Sequence, residues 1–386
     1  MDLFKNFFKS EKSAGFVLVA CTLISLGIAN SSFSDGYIHF WHSTLDLSFL
    51  NLKLNYSIEH WVNDGLMTIF FLLVGLEIER ELYIGELSQF KNAILPVLAA
   101  IGGMLVPALI HLLFNAGTIT QSGFGIPMAT DIAFALGILS LAGNKIPVSL
   151  KIFLTALAII DDLGAITVIA IFYSTNITLL YLFISLAIFL LLFLAGKKKI
   201  YSLPLYLTGG IIMWYFMLKS GIHPSIAGVL LAFAMPFHKI DSKNPSFKIQ
   251  NLLHYPVAFV ILPIFALANT AIVFPSNLLS TFTNNNSLGI ISGLLLGKFL
   301  GIFLICYLAV KIKIAKLPEE LTWQHIIGVS LLGGIGFTMS MFIANLAFSN
   351  TETIISSKIS ILLASFMAAL LGLFILKQIK RPVRLR

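Results

Sequence analysis

Twelve apolar runs, each near the roughly 20 residues needed to cross about 30 Å of hydrocarbon, set the terms on which this chain can fold. They lie at 12–30, 58–84, 94–114, 120–142, 148–173, 178–196, 202–217, 221–235, 251–272, 288–310, 325–347 and 355–377, the seventh and eighth being the shortest. Lipid offers no hydrogen bonds, so each run must satisfy its own backbone as an α-helix. Composition removes the alternative of a soluble domain, because 58% hydrophobic and 11% charged residues cannot build a water-facing surface. The expectation is an all-α polytopic membrane protein with twelve transmembrane helices, one integral domain over residues 1–386. The first run follows Lys9, Glu11 and Lys12 without a small-residue cleavage site, and reads as a retained span. The polar stretches at 33–57, 238–250 and 281–287 are too short to fold alone. Cys21 and Cys306 sit inside apolar runs with no Cys or His at ligand spacing, which argues against a disulfide framework or a zinc site.

Charge sets the orientation. With a cytoplasmic amino terminus, only Lys53, Lys219 and Lys358 of the 25 Lys and Arg residues fall outside, Lys298 stays within the membrane, and the rest lie in cytoplasmic segments. That bias places both termini in the cytoplasm. It also explains the net charge of +8 without a nucleic-acid partner. The run Lys197-Lys198-Lys199 reads as a topology signal at an anionic leaflet.

Charges at mid-depth carry the chemistry. Asp131 lies near the middle of the fourth run, Asp161 and Asp162 near the middle of the fifth, and Lys298 near the middle of the tenth. Each costs about 2.5–3.5 kcal/mol at the bilayer centre, so four left uncompensated would cost roughly 10 kcal/mol, comparable with a whole domain's stability. A structural salt bridge would use Lys298 and one acid, leaving surplus negative charge. Such a surplus is tenable where protons or metal cations come and go. Neighbouring helical residues point about 100° apart, so one of Asp161 and Asp162 can face a water-filled cavity while the other meets Asp131, Lys298 or the cavity rim. Acids this close titrate as a coupled set, and oxygen-only ligands suit a small hard cation. A site that holds either protons or a cation is an exchanger in outline.

Two runs are interrupted. In the fourth, Gly123, Gly125 and Pro127 precede Asp131; in the eleventh, Gly333, Gly334 and Gly336 stand at the midpoint. Proline removes a donor and glycine weakens a helix, while irregular backbone at membrane depth must line a cavity or be buried in protein. Spans three to five run out, in, out, whereas ten to twelve run in, out, in. Inverted repeats with paired broken helices point to a secondary transporter's midplane site. There Asp131 can offset positive helix ends and Lys298 negative ones.

ATDIAFALG at 129–137, AIIDDLGAI at 158–166, FFLLVGLEIERE at 70–81, GKFLGI at 297–302 and GGIGFTMSMFIANLAF at 333–348 together resemble the NhaA family of bacterial sodium–proton antiporters, over nearly the whole chain. Members of that family are among the examples from which the inverted-repeat rule was drawn. The resemblance implies a twelve-helix fold with crossed, interrupted helices 4 and 11, in the bacterial inner membrane. It implies electrogenic, pH-regulated exchange of one sodium or lithium ion for two protons by alternating access, with no cofactor. By motif position Asp162 is implied as the cation-binding carboxylate, Asp161 as its partner and proton carrier, and Lys298 as the amine paired with Asp161. Asp131 is implied as the compensator of the helix ends, and Thr130 as support for the cation path. A cytoplasmic pH-response cluster maps onto Glu77, Arg80, Glu81 and His254. Glu79 stands where well-known members carry a lysine, and Gln250 and Asn251 where they carry a glutamate and a histidine, so no pH set-point carries over. His223 matches a family histidine, although a lone histidine near a span end is more often a local cap or core group.

Between the first two spans, residues 45–57 alternate apolar and polar with period two, the pattern of a short external β-hairpin. Its edge can pair with a second copy, and the resemblance favours that homodimer contact. An intramembrane aspartyl protease would also use two acids, but Phe337, not aspartate, follows Gly336, so its Gly-x-Gly-Asp motif is missing. A passive cation channel could use the same acids, and a transporter of organic solutes would want an aromatic pocket that no spacing indicates. No GxxxxGK followed by Ser or Thr is present to bind ATP phosphates. The chain reads as a transporter and not as an enzyme.

Overall fold

A computed structural model describes residues 2–48, 54–143, 146–174, 176–237 and 244–379. The tip of the hairpin and the basic residues Lys53, Lys145, Lys239, Lys243, Lys380, Arg381, Arg384 and Arg386 lie outside the described residues. The helices are α1 Asp2–Ala29, α2 Ser34–His42, α3 Ile58–Tyr83, α4 Phe90–Asn115, α5 Ile132–Leu141, α6 Val148–Phe172, α7 Leu179–Lys197, α8 Leu203–Ser220 and α9 Ser225–Ala234. They continue as α10 Pro245–Asn269, α11 Leu278–Thr283, α12 Asn285–Lys311, α13 Trp323–Leu332, α14 Phe337–Ala347 and α15 Thr351–Gln378. A 3-10 helix, Gln121–Met128, precedes α5.

Among the described residues seven helices, α3, α4, α6, α7, α10, α12 and α15, are long and apolar enough to cross a membrane. The number rises to ten when three bent pairs count as single spans: Ser13–Ala29 with α2 at 115°, the 3-10 helix with α5 at 41°, and α13 with α14 at 44°. The two short runs fold as α8 and α9. The ten residues of α9 make about 15 Å, less than the hydrocarbon thickness. The bends in the fourth and eleventh runs fall where proline and glycine interrupt the apolar pattern.

The contacts divide the chain into two units. One comprises Met1–Phe16, Gly85–Ala165 and Pro275–Arg386; the other comprises Val17–Ile84 and Ile166–Phe274. In the first, α4 packs on α12 so closely that a Cβ on Gly102 would strike the carbonyl of Gly301, and one on Gly301 the carbonyl of Gly102. Between helices in lipid, small residues allow this backbone approach, and dispersion replaces the hydrophobic drive. Just before Lys298 the helix widens into a π-turn, Gly293–Gly297. A Cβ on Gly293 would lie 2.7 Å from Pro127 and one on Gly297 2.6 Å from Pro107. A π-turn inserts a residue and so re-aims the side chains that follow; here the side chain that follows is the lysine.

In the second unit α3 and α9 pack through Gly75 and Gly228, over a core that includes Leu76, Tyr206, Met213, Leu231 and Ile249. Strands β1 Thr44–Asp46 and β2 Asn55–Ser57 pair antiparallel with Thr44 opposite Ser57, Leu45 opposite Tyr56 and Asp46 opposite Asn55. The ladder thus opens one residue earlier than the alternation indicates. The Ser48 amide and hydroxyl, beside the exposed Asp46 carboxylate, hold it below the usual carboxylate range.

Candidate functional site

The fifth run forms the unbroken helix α6, which carries both adjacent aspartates inward. Asp161 is fully buried and Asp162 is 1% exposed. Lys298, at the end of the π-turn in α12, is also fully buried and donates its ammonium hydrogen to Asp161 Oδ2. Among the described residues Asp161 Oδ1 has no hydrogen-bond partner. Asp162 is the second carboxylate in the field of Lys298, and Thr130 is the other polar side chain at Asp161. One ammonium therefore faces two carboxylates, and one carboxylate oxygen next to it is buried without a donor. An oxygen in that position gains from a proton or from a small cation, and the two compete for it.

The two interruptions satisfy each other's backbone. Ala129 and Asp131 are extended, and Asp131 is the N-cap of α5, its Oδ1 accepting from the Phe134 amide at 2.9 Å. Its Oδ2 accepts from the Thr338 amide at 3.1 Å and from the Thr338 hydroxyl. One carboxylate therefore caps the amino-terminal ends of both α5 and α14, where unpaired amides and the helix dipole favour negative charge. In return the Asp131 amide donates to the carbonyl of Ile335 at 2.7 Å and the Thr130 hydroxyl to that of Gly333 at 2.8 Å. Ser340 donates to the carbonyl of Ile126 at 2.7 Å. The carbonyls at the end of α13 are met by Thr130 and Asp131, while the hydrogen bond of Lys298 goes to Asp161.

Thr338 was not among the residues singled out from sequence, although its place two residues after a helix-breaking glycine is a signal for an unpaired amide. Thr338→Val will lower stability by roughly 1.5–3 kcal/mol, the worth of a hydrogen bond to a charged group, whereas Thr338→Ser will retain it. Unfolding midpoints in detergent check this; equal midpoints for Val and wild type would rule it out.

The sequence reading also took Lys298 as the one base inside the bundle. Lys358, counted with the external segments, is 5% exposed. Because α15 begins at Thr351, Lys358 lies two helical turns beyond that start. Four residues of the first unit, His111, Asn115, Asn286 and Ser357, form another buried polar cluster, with His111 Nε2 3.3 Å from Asn286 Oδ1 and Asn286 donating to Ser357 at 2.8 Å.

The pH-response candidates fall in the second unit. On α3, Arg80 donates to Glu81 at 3.1 Å and lies within electrostatic reach of Glu77 and of His254 on α10. Glu79 is buried with Oε2 unbonded, and Gln250 is buried while Asn251 is exposed. His223 bonds Ser225 Oγ at 2.7 Å, with its Nε2 3.4 Å from Asp64 on α3. That hydrogen bond is local, at the start of α9.

Residues 5–376 match the model of the family described as Na+/H+ antiporter 1. A Na(+)/H(+) antiporter NhaA of Flavobacterium psychrophilum is 58% identical over 377 residues, covering 98% of this chain and 96% of its own. Proteins of the same name from Cytophaga hutchinsonii and Dechloromonas aromatica are 56% and 57% identical, over 99% and 96% of this chain and 97% and 94% of theirs. A match of that extent, over a chain whose spanning helices bury two aspartates against a single lysine, is membership: this chain belongs to the Na+/H+ antiporter 1 family.

Proposed function

We propose that the chain is a secondary antiporter that expels cytoplasmic sodium or lithium in exchange for external protons at Asp161 and Asp162. The observation that supports this reading best is the buried group of two carboxylates and one ammonium, in which Asp161 Oδ1 has no donor among the described residues. Asp162 binds the cation, Asp161 carries protons and is held by Lys298 in the absence of its load, and Thr130 lines the path. Asp131 neutralises the helix ends so that the cation site keeps its own charge. Protons and cation compete for the same oxygens, so neither crosses with the other and the exchange is obligatory. With two protons entering for each cation leaving, one net charge moves inward per cycle. An inside-negative potential then drives extrusion by about 2.3 kcal/mol per 100 mV.

The wider reading is a twelve-span bundle in the bacterial inner membrane, both termini cytoplasmic, with inverted repeats in which the interrupted spans cross and give alternating access. The Glu77, Arg80, Glu81 and His254 group tunes the response to pH. Two copies associate through the external hairpin, whose strands are short and whose β1 is exposed throughout. The decisive experiment loads everted membrane vesicles with a proton gradient and adds sodium or lithium. Collapse of the gradient supports exchange; no sodium- or lithium-dependent proton movement from weakly acid to alkaline pH would refute it. A reversal potential that follows the cation gradient alone would identify a channel.

A further inference from the structure

Helix α13 supplies the carbonyls of the second interruption, and its first turn is closed in an unusual way. Thr322 is the N-cap and His325 the third helical residue. The Thr322 amide donates to His325 Nδ1 at 3.0 Å, the Thr322 hydroxyl lies 2.9 Å from the same nitrogen, and the His325 amide returns a hydrogen bond to the Thr322 carbonyl at 3.0 Å. This is a capping box, in which Glu or Gln ordinarily reaches back to the N-cap amide. Those side chains present an acceptor oxygen throughout the neutral range. An imidazole accepts at Nδ1 only while that nitrogen is bare, and donation by a backbone amide fixes the neutral form with its proton on Nε2. A proton on Nδ1 would set N–H against N–H and add positive charge at a helix amino terminus, where the dipole opposes it.

His325 is 1% exposed. The turn it closes is pinned by Trp323, whose ring meets Tyr307 at 5.4 Å and Phe303 at 6.0 Å on α12. One rigid helix of ten residues further on, the carbonyls of Gly333 and Ile335 hold Thr130 and the Asp131 amide. Among the described residues, the charged groups at this end are Lys311 on α12, Lys377 on α15, Lys151 in the first turn of α6, and Lys313, Lys316, Glu319 and Glu320 in the segment entering α13; α5 has none. Glu320 already accepts from Ser149 at 3.1 Å.

We infer that His325 is a positioning residue for exchange. Its neutral imidazole locks the first turn of α13 and so fixes the carbonyls that hold Thr130 and Asp131, and acid on the side where that turn lies releases the lock. The inference rests on the exchange reading of Asp161 and Asp162. The test compares wild type, His325→Gln and His325→Ala. Gln offers an acceptor that does not titrate; Ala offers none. In sodium-driven vesicle assays from about pH 8 to about pH 6, a range bracketing imidazole titration, wild type will lose transport toward acid. His325→Gln will run about fivefold faster than wild type at the acid end, the population change that one helix cap controls, and equally fast at the alkaline end. His325→Ala will be slow throughout, with a raised apparent KM for sodium.

A second readout does not depend on transport. The unfolding midpoint of detergent-solubilised wild type will fall on acidification by more than that of His325→Gln. Coincident pH dependences of wild type and Gln, in transport and in unfolding, would overturn the inference, as would an Ala variant matching wild type at alkaline pH. Absence of exchange in all three proteins, with the unfolding difference intact, would instead overturn the exchange reading and leave the proton-sensitive cap standing.

Discussion

Asp162→Asn will abolish sodium-dependent proton movement, reducing it by more than about 100-fold, beyond the 10–100-fold that changes outside a ligand shell produce. Asparagine matches the volume of aspartate and fits the same buried position, 1% exposed on α6. What it loses is charge. On the proposed reading, the site without that carboxylate lacks the negative oxygen that a dehydrated cation needs. Everted vesicles containing the variant should keep their proton gradient when sodium or lithium is added, while the unfolding midpoint in detergent stays close to that of wild type. Retained exchange would remove Asp162 from the site. Lost exchange accompanied by a large fall in the midpoint would assign it a structural duty instead.

The largest effect on stability is expected at Lys298. The ammonium and Asp161 are both fully buried and bonded to each other. Lys298→Met keeps much of the side chain's length and apolar contact beside Gly103 but leaves Asp161 without its counter-ion. Breaking a buried pair by removing one partner costs about 3–5 kcal/mol, whereas removing both charges together is often neutral. The single variant should therefore unfold far more readily than wild type, and Asp161→Asn combined with Lys298→Met should regain most of the loss. A double variant no more stable than the single one would show that the pair is not coupled. Both proteins should be inactive in exchange, so stability and transport separate in the double variant.

The residues most legible in the sequence were those whose presence in lipid is expensive. Asp131, Asp161, Asp162 and Lys298 stood out because a charge inside an apolar run demands compensation, and the structure buries all four in one unit. The interruptions were legible too, because Pro127 and the glycines at 333, 334 and 336 are poor helix formers wherever they stand. Thr338 and His325 were not singled out. Neutral polar side chains are common in membrane helices and cost little to bury once bonded, so nothing in their own sequence neighbourhood separates a cap from an ordinary hydroxyl or ring. The burial of Lys358 was not legible for a related reason: near a helix end, composition cannot distinguish a side chain reaching water from one turned inward.

Apolar length and the scarcity of charge were enough, from sequence alone, to indicate a helical membrane protein with acids inside its apolar runs and two interrupted runs. Both follow from the cost of exposing backbone or charge to hydrocarbon, a cost each segment bears by itself. Tertiary structure decided which groups meet. It brought Lys298 to Asp161 across 137 residues, Thr338 to Asp131 across 207, and the Thr130 hydroxyl to Gly333 across 203. Those pairings depend on close helix packing, a π-turn that aims the lysine, and two backbone breaks that satisfy each other. None of these can be computed from one segment, because each half of every pairing leaves a polar group unpaired until its partner arrives.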